Sequence, residues 1–256
     1  MADLTTTDRV KSYLAITTAG QDANIGALIT RESALVERWC GRQFSRIVAR
    51  SKRLNGSGTS RLFLPDTPVV SVSSVSVGNT PLTYAADGLT AGFSFDENCI
   101  YLAAGERFPY VPQSVAVAWT AGWQETDEQF IPTGNAPTLT PTNGGFAVSD
   151  EGVVSAAGTV FTAVGNTPAA GQYVFADGVY AFNIADIGIA VTMSYAYVPG
   201  PIEQAVIELV GLDLKQRDNL GIKSKTLAGE NVTYEDRGLP TSITDMLRPY
   251  RQMVPA

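Results

Sequence analysis

The chain has 256 residues, 45% of them hydrophobic and 17% charged, with no histidine, two cysteines and a formal net charge of −7. That is apolar material for one large domain or two smaller ones. The missing imidazole excludes Ser-His-Asp and Cys-His catalysis and His-ligated metals, and the acidic balance argues against a protein held on DNA by a dominant basic face.

The first residues, MADLTTTDRVKSYLAI, lack a basic-then-apolar leader. No apolar run approaches the ~18 residues of a membrane span, so a soluble, unexported protein is expected. Residues 7–16 are expected to form a short helix. Thr5, Thr6 and Thr7 offer N-caps, Asp8 suits the positive end, and Val10, Tyr13 and Leu14 share a face. A longer helix is expected over 22–40, where Ile25, Leu28, Ile29, Leu35, Val36 and Trp39 keep a helical period. Glu32 is its polar interruption, and Gly41 is placed to stop it.

From Phe44 the period changes to that of strands. Residues 45–54 and 61–64 are read as a hairpin about Asn55-Gly56-Ser57-Gly58. Residues 69–77 alternate, broken at Ser73-Ser74 as a bulge would break them. Further strands fit 82–84, 93–95, 100–102 and 115–119. Cations crowd this region at Arg42, Arg46, Arg50, Lys52, Arg53 and Arg61. Arg46, Arg50, Lys52 and Arg53 are candidates for a basic edge that meets a partner or passing DNA. The other reading is an edge strand whose charges discourage stray pairing.

Residues 124–145 have linker composition, with Glu125, Asp127 and Glu128 in a solvated loop. Strands are expected near 159–164, 172–176, 179–183 and 187–197. A helix over 201–218 follows, with Pro201 in its first turn and Ile202, Ala205, Val206, Leu209 and Val210 on one face. Residues 221–240 read as a polar, glycine-punctuated arm. A short helix then starts at Ser242 and stops before Pro249. It gathers Ile243, Met246, Leu247 and Tyr250, either to dock on a partner or to pack internally. The expected fold class is α+β: a helical core from both chain ends, a β-rich middle and an inserted small β-sandwich-like domain.

Little in the chain points to chemistry. Cys40 and Cys99 are read as reduced thiols, with a bridge as the alternative. Neither GxxxxGK(S/T) nor a post-strand GxGxxG occurs, and Asp150-Glu151 is read as a solvated turn. No catalytic, cofactor or metal site is expected.

Three segments carry a resemblance: YLAIT with VERWCGRQF, PVVSVSSVSVG with VAVAWTAGW, and PIEQAVIELV with LPTSITDMLRPYR. In order and spacing they resemble the tailed-phage head-tail connector (head-tail adaptor, head completion) family, over residues 4–123 and 198–251. The chain departs from shorter relatives by some 70 residues between the WTAGW strand and the following helix. This implies a connector core of 1–123 plus 198–256, with a C-terminal arm from 219, and an inserted accessory domain at 124–197.

The resemblance also implies a virion protein at the head-tail interface, forming a closed, usually dodecameric ring beneath the portal. Its partners would be the portal protein, docked by the C-terminal segment, and the next connector or tail-completion protein. Genomic DNA would pass through the lumen without tight binding, and no membrane is involved. The competing expectation is a β-sandwich binding module that recognises carbohydrate or a receptor.

Overall fold

The structure, a computed structural model, describes residues 2–142, 145–216, 224–227, 230–233 and 239–252. It is mixed α/β and β-rich, with four helices and five sheets among the described residues. Two compact units divide it. The first draws on residues 1–42, 144–146 and 198–253, the second on 43–143 and 147–197.

The first unit is helical. Helix α1 (Thr7–Leu14) begins where extended Thr6 accepts the Arg9 N–H on its hydroxyl, and it ends at left-handed Ala15. Helix α2 (Asp22–Cys40) stops at Gly41, whose φ of 70° suits a residue without a Cβ. Helices α3 (Gly200–Gln216) and α4 (Thr241–Leu247) complete the set, and α3 touches each of the other three. Their shared core includes Val10, Ile25, Ile29, Val36, Ile202, Val206, Val210, Ile243 and Leu247, all buried. Glu32 is also buried, 2.8 Å from the Arg31 Nε, and Arg31 reaches across to Asp213 of α3. Burial pushes the Glu32 carboxyl above its ordinary range.

Strands β1 (Ile47–Leu54), β2 (Arg61–Phe63), β3 (Val69–Val77), β4 (Thr80–Leu82), β5 (Phe93–Phe95), β6 (Cys99–Leu102) and β7 (Val115–Ala121) open the second unit. They form one sheet of order β1-β7-β3-β4 and another of order β2-β6-β5. Trp119, Phe108, Ile100, Val115 and Val117 fill the core between them. The expected bulge is present. Register shifts between Val72 and Ser74, and the Ser73 hydroxyl donates to the Ala118 carbonyl at 3.1 Å.

The expected hairpin of 45–54 with 61–64 is not formed, because β1 pairs with β7 and β2 with β6. Asn55 to Gly58 instead lets another loop cross. A Cβ on Gly56 would lie 1.7 Å from the Pro109 carbonyl oxygen, so only glycine fits.

Strands β8 (Gln124–Phe130), β9 (Thr138–Leu139), β10 (Gly145–Ser155), β11 (Thr162–Ala163), β12 (Gln172–Ala176), β13 (Val179–Phe182) and β14 (Val191–Pro199) follow. They make sheets of order β10-β14-β8 and β11-β12-β13-β9 around a second core of Val153, Phe161, Tyr173, Tyr180, Phe182 and Met193. Three expectations fail here. Residues 124–130 are a strand rather than a linker, and β10 occupies a stretch read as linker and turn. The strand expected from residue 187 begins only at Val191, after a 3-10 turn at Ile184–Asp186, leaving Ile187 and Ile189 partly exposed. Within the expected arm the backbone pairs as a hairpin, β15 (Ser224–Leu227) with β16 (Glu230–Thr233). The rest of 221–238 lies outside the described residues.

Candidate functional site

The four candidate basic residues sit on or beside β1, at the edge of its sheet. Arg50 Nε lies 3.1 Å from Asp66, and Arg46 pairs with Glu151 of β10. Arg53 donates to the Gln113 carbonyl at 3.4 Å, and Lys52 is exposed. Arg61, on β2, holds its guanidinium 5.6 Å from the Tyr101 ring centre. Two of the four candidates are therefore answered by carboxylates, which reduces the charge this edge can offer a polyanion.

The C-terminal quartet is split by helix geometry. Ile243 and Leu247, four residues apart, share the inward face of α4 and are 1% and 0% exposed. Met246 and Tyr250 are half-buried. The segment is also fastened from beyond the helix. Gln252 N–H donates to the Cys40 carbonyl at 2.7 Å, and Arg251 lies over Trp39 at 5.7 Å. Ile243 and Leu247 thus face their own unit. The helix starts from Pro240, with no side-chain cap from Ser242. It ends as an α-helix at Leu247, and Pro249 falls in a following 3-10 turn.

The buried carboxylates hold elements together. Glu203 of α3 is 5% exposed and takes both Arg9 Nε and Arg9 Nη2, with the Thr5 hydroxyl at 3.1 Å. Arg9 also covers the Phe146 ring at 5.1 Å. Glu128, expected in a solvated loop, is 8% exposed on β8. It accepts from the Tyr195 hydroxyl and from the Thr142 N–H and hydroxyl. Asp150, expected on a turn, lies within β10 and accepts the Tyr173 and Tyr180 hydroxyls, the latter at 3.0 Å. Burial, reinforced by the Asp150 carboxylate, raises both phenols above the ordinary tyrosine range. No sequence signal exposed these pairs, because each carboxylate and its partners lie apart in the chain.

Both cysteines are free and buried. Burial lifts the Cys40 thiol to about 11 and raises Cys99 too, so both stay protonated near neutrality. Among the described residues no His, Cys, Asp or Glu group of three or more is placed to hold a metal ion. None of the described helices is long and apolar enough to cross a membrane.

Residues 3–125 match the family model described as head completion protein. Among solved structures, the chain is similar to one in the neck of an empty gene transfer agent particle. Identity is 13% and the TM-score 0.42, over 98% of this chain and 90% of that one. A second, in the virion of a native gene transfer agent particle, is 19% identical with a TM-score of 0.32, over 46% and 64%. No curated protein matches the chain.

Proposed function

We propose, from the match of residues 3–125 to the head completion protein family model, that the chain is a head-to-tail adaptor of a tailed-phage-like particle. It assembles as a ring, dodecameric in the virion, beneath the portal, receives the next connector or tail-completion protein, and lets genomic DNA pass. The family match carries this reading. The net charge of −7 supports passage without capture, since like charges forgo the counterion release that makes DNA binding tight.

Residues 124–197 serve as an accessory module inserted into the connector core. Supporting this, among the described residues β8 to β14 pair only among themselves, and they enclose their own apolar cluster. Gln124 and Ala196 are also register partners, so the chain enters and leaves the module side by side. The rival function, recognition of carbohydrate or a receptor, calls for exposed aromatics. Phe161, Tyr173, Tyr180 and Phe182 are instead buried.

The C-terminal segment docks on the portal through Met246 and Tyr250, with Ile243 and Leu247 anchoring it to the helical unit. Avidity around a ring compensates for weak single contacts. Native mass spectrometry of the purified chain, alone and with portal protein, tests this. The expected result is a stoichiometric complex of the chain with the portal oligomer. A chain that stays monomeric and ignores the portal would overturn the reading.

A further inference from the structure

Two strands of the second unit present an open edge. β1 is outermost in the order β1-β7-β3-β4, and β8 is outermost in the order β10-β14-β8. Among the described residues, the backbone of 47–54 bonds to no backbone but that of β7, and the backbone of 124–130 to none but that of β14. The two edges are not paired with each other within the chain. They match in length, at 8 and 7 residues, and carry exposed side chains at Val48, Ser51, Lys52 and Arg53 on β1 and at Thr126, Asp127 and Gln129 on β8. Unpaired N–H and carbonyl groups in such a row are a template for a further strand.

The edges carry opposite charge. β1 has Arg50, Lys52 and Arg53 and no acid, while β8 has Glu125, Asp127 and Glu128 and no base. Arg50 is answered by Asp66, and Glu128 is buried within its own module. Lys52, Arg53, Glu125 and Asp127 make no ion pair among the described residues. Two β1 edges brought together would set cation against cation, and two β8 edges acid against acid, which destabilises both pairings. Of the three pairings these edges allow, only β1 with β8 opposes unlike charges. The same side chains therefore disfavour the symmetric contacts and favour the one between different edges.

We propose that β1 of one copy of this chain adds to β8 of the next, with Lys52 and Arg53 set against Glu125 and Asp127. The proposal rests on the ring-forming role proposed above. A contact between two different edges runs from copy to copy in one direction, the kind that closes into rings.

Sedimentation velocity across a concentration series, at about 50 and 300 mM salt, tests it. Lys52→Glu/Arg53→Glu and Glu125→Lys/Asp127→Asn should each weaken self-association about tenfold or more, with unchanged melting curves. Asparagine suits position 127 because it tolerates the φ of 58° there. All four changes in one chain should restore most of the association, since unlike charges again oppose. A second measurement changes no charge. Ser51→Cys combined with Thr126→Cys, or with Gln129→Cys, should give a ladder of covalent oligomers under mild oxidation. Each of these substitutions alone should give none, the native Cys40 and Cys99 being buried. Linked dimers from Ser51→Cys alone would reveal a symmetric contact and overturn the proposal. Charge variants that assemble like wild type overturn it, as does a combined variant that melts normally yet stays dissociated, or the absence of a ladder from both cysteine pairs. A wild type that binds portal but never self-associates overturns the contact and leaves the portal attachment standing. Loss of portal binding with self-association intact moves the edge to the portal and rejects the second copy. A wild type that does neither rejects the adaptor function itself.

Discussion

Leu247→Asp is expected to lower the stability of the helical unit by about 5 kcal/mol. Truncating a buried leucine to alanine alone costs roughly 2–5 kcal/mol, and an unpaired carboxylate in the same place adds a desolvation penalty. Leu247 is fully buried, and its helix packs on α3, so no solvent route relieves that charge. Set against the 5–15 kcal/mol typical of a domain, this is enough to unfold the unit near physiological temperature. Met246→Asp is the contrasting variant. Its half-buried side chain sits off the inward face, so melting should shift little while portal attachment weakens. Thermal melts followed by circular dichroism, beside co-sedimentation with purified portal, separate the two effects. A Leu247→Asp chain that melts like wild type would show that α4 is not held as described.

Asp150→Ala is expected to destabilise the β8 to β14 module by about 3 kcal/mol, because hydrogen bonds to a charged acceptor contribute roughly 1.5–3 kcal/mol each. Two tyrosine hydroxyls, on Tyr173 and Tyr180, lose their acceptor together. A pH dependence accompanies this. Both phenols titrate higher in the folded protein than in the unfolded chain, because burial and the Asp150 carboxylate disfavour the phenolate. Their contribution is therefore fully present below about pH 10, the unfolded tyrosine value, and is lost as pH rises beyond it. Melting temperature in the wild type should fall steeply above that point. The double variant Tyr173→Phe/Tyr180→Phe should show a flatter alkaline limb. An alkaline limb identical to wild type would mean the two phenols are not shielded in the folded chain.

What was legible in the sequence was set by the range of the forces involved. The α2 pattern and its Gly41 stop depend on neighbours within a turn or two, and they appear as expected. The bulge at Ser73-Ser74 was legible because a one-residue slip reverses the alternation in place. β8 was hidden because its inward group at residue 128 is a glutamate, made tolerable only by Tyr195 and Thr142 from elsewhere in the chain. β10 was hidden because Ser149 to Gly152 has the composition of a turn, while Asp150 is satisfied by tyrosines on β12 and β13. The pairing of β1 with β7 rather than β2 depends on contacts across more than sixty residues, beyond what local turn chemistry can report.

The docking quartet shows the same limit at the candidate site. Spacing placed Ile243, Met246, Leu247 and Tyr250 on one short helix. Which of them turn inward was decided by α3, and Ile243 and Leu247 were taken by the core.

The most direct measurement is electron microscopy of the particles produced when the gene for this chain is deleted from its native genome, with plasmid-borne complementation. An adaptor between portal and tail requires that the deletion accumulate filled heads and separate tails, and that complementation restore joined, infectious particles. Normally tailed, infectious particles from the deletion strain would contradict the adaptor role.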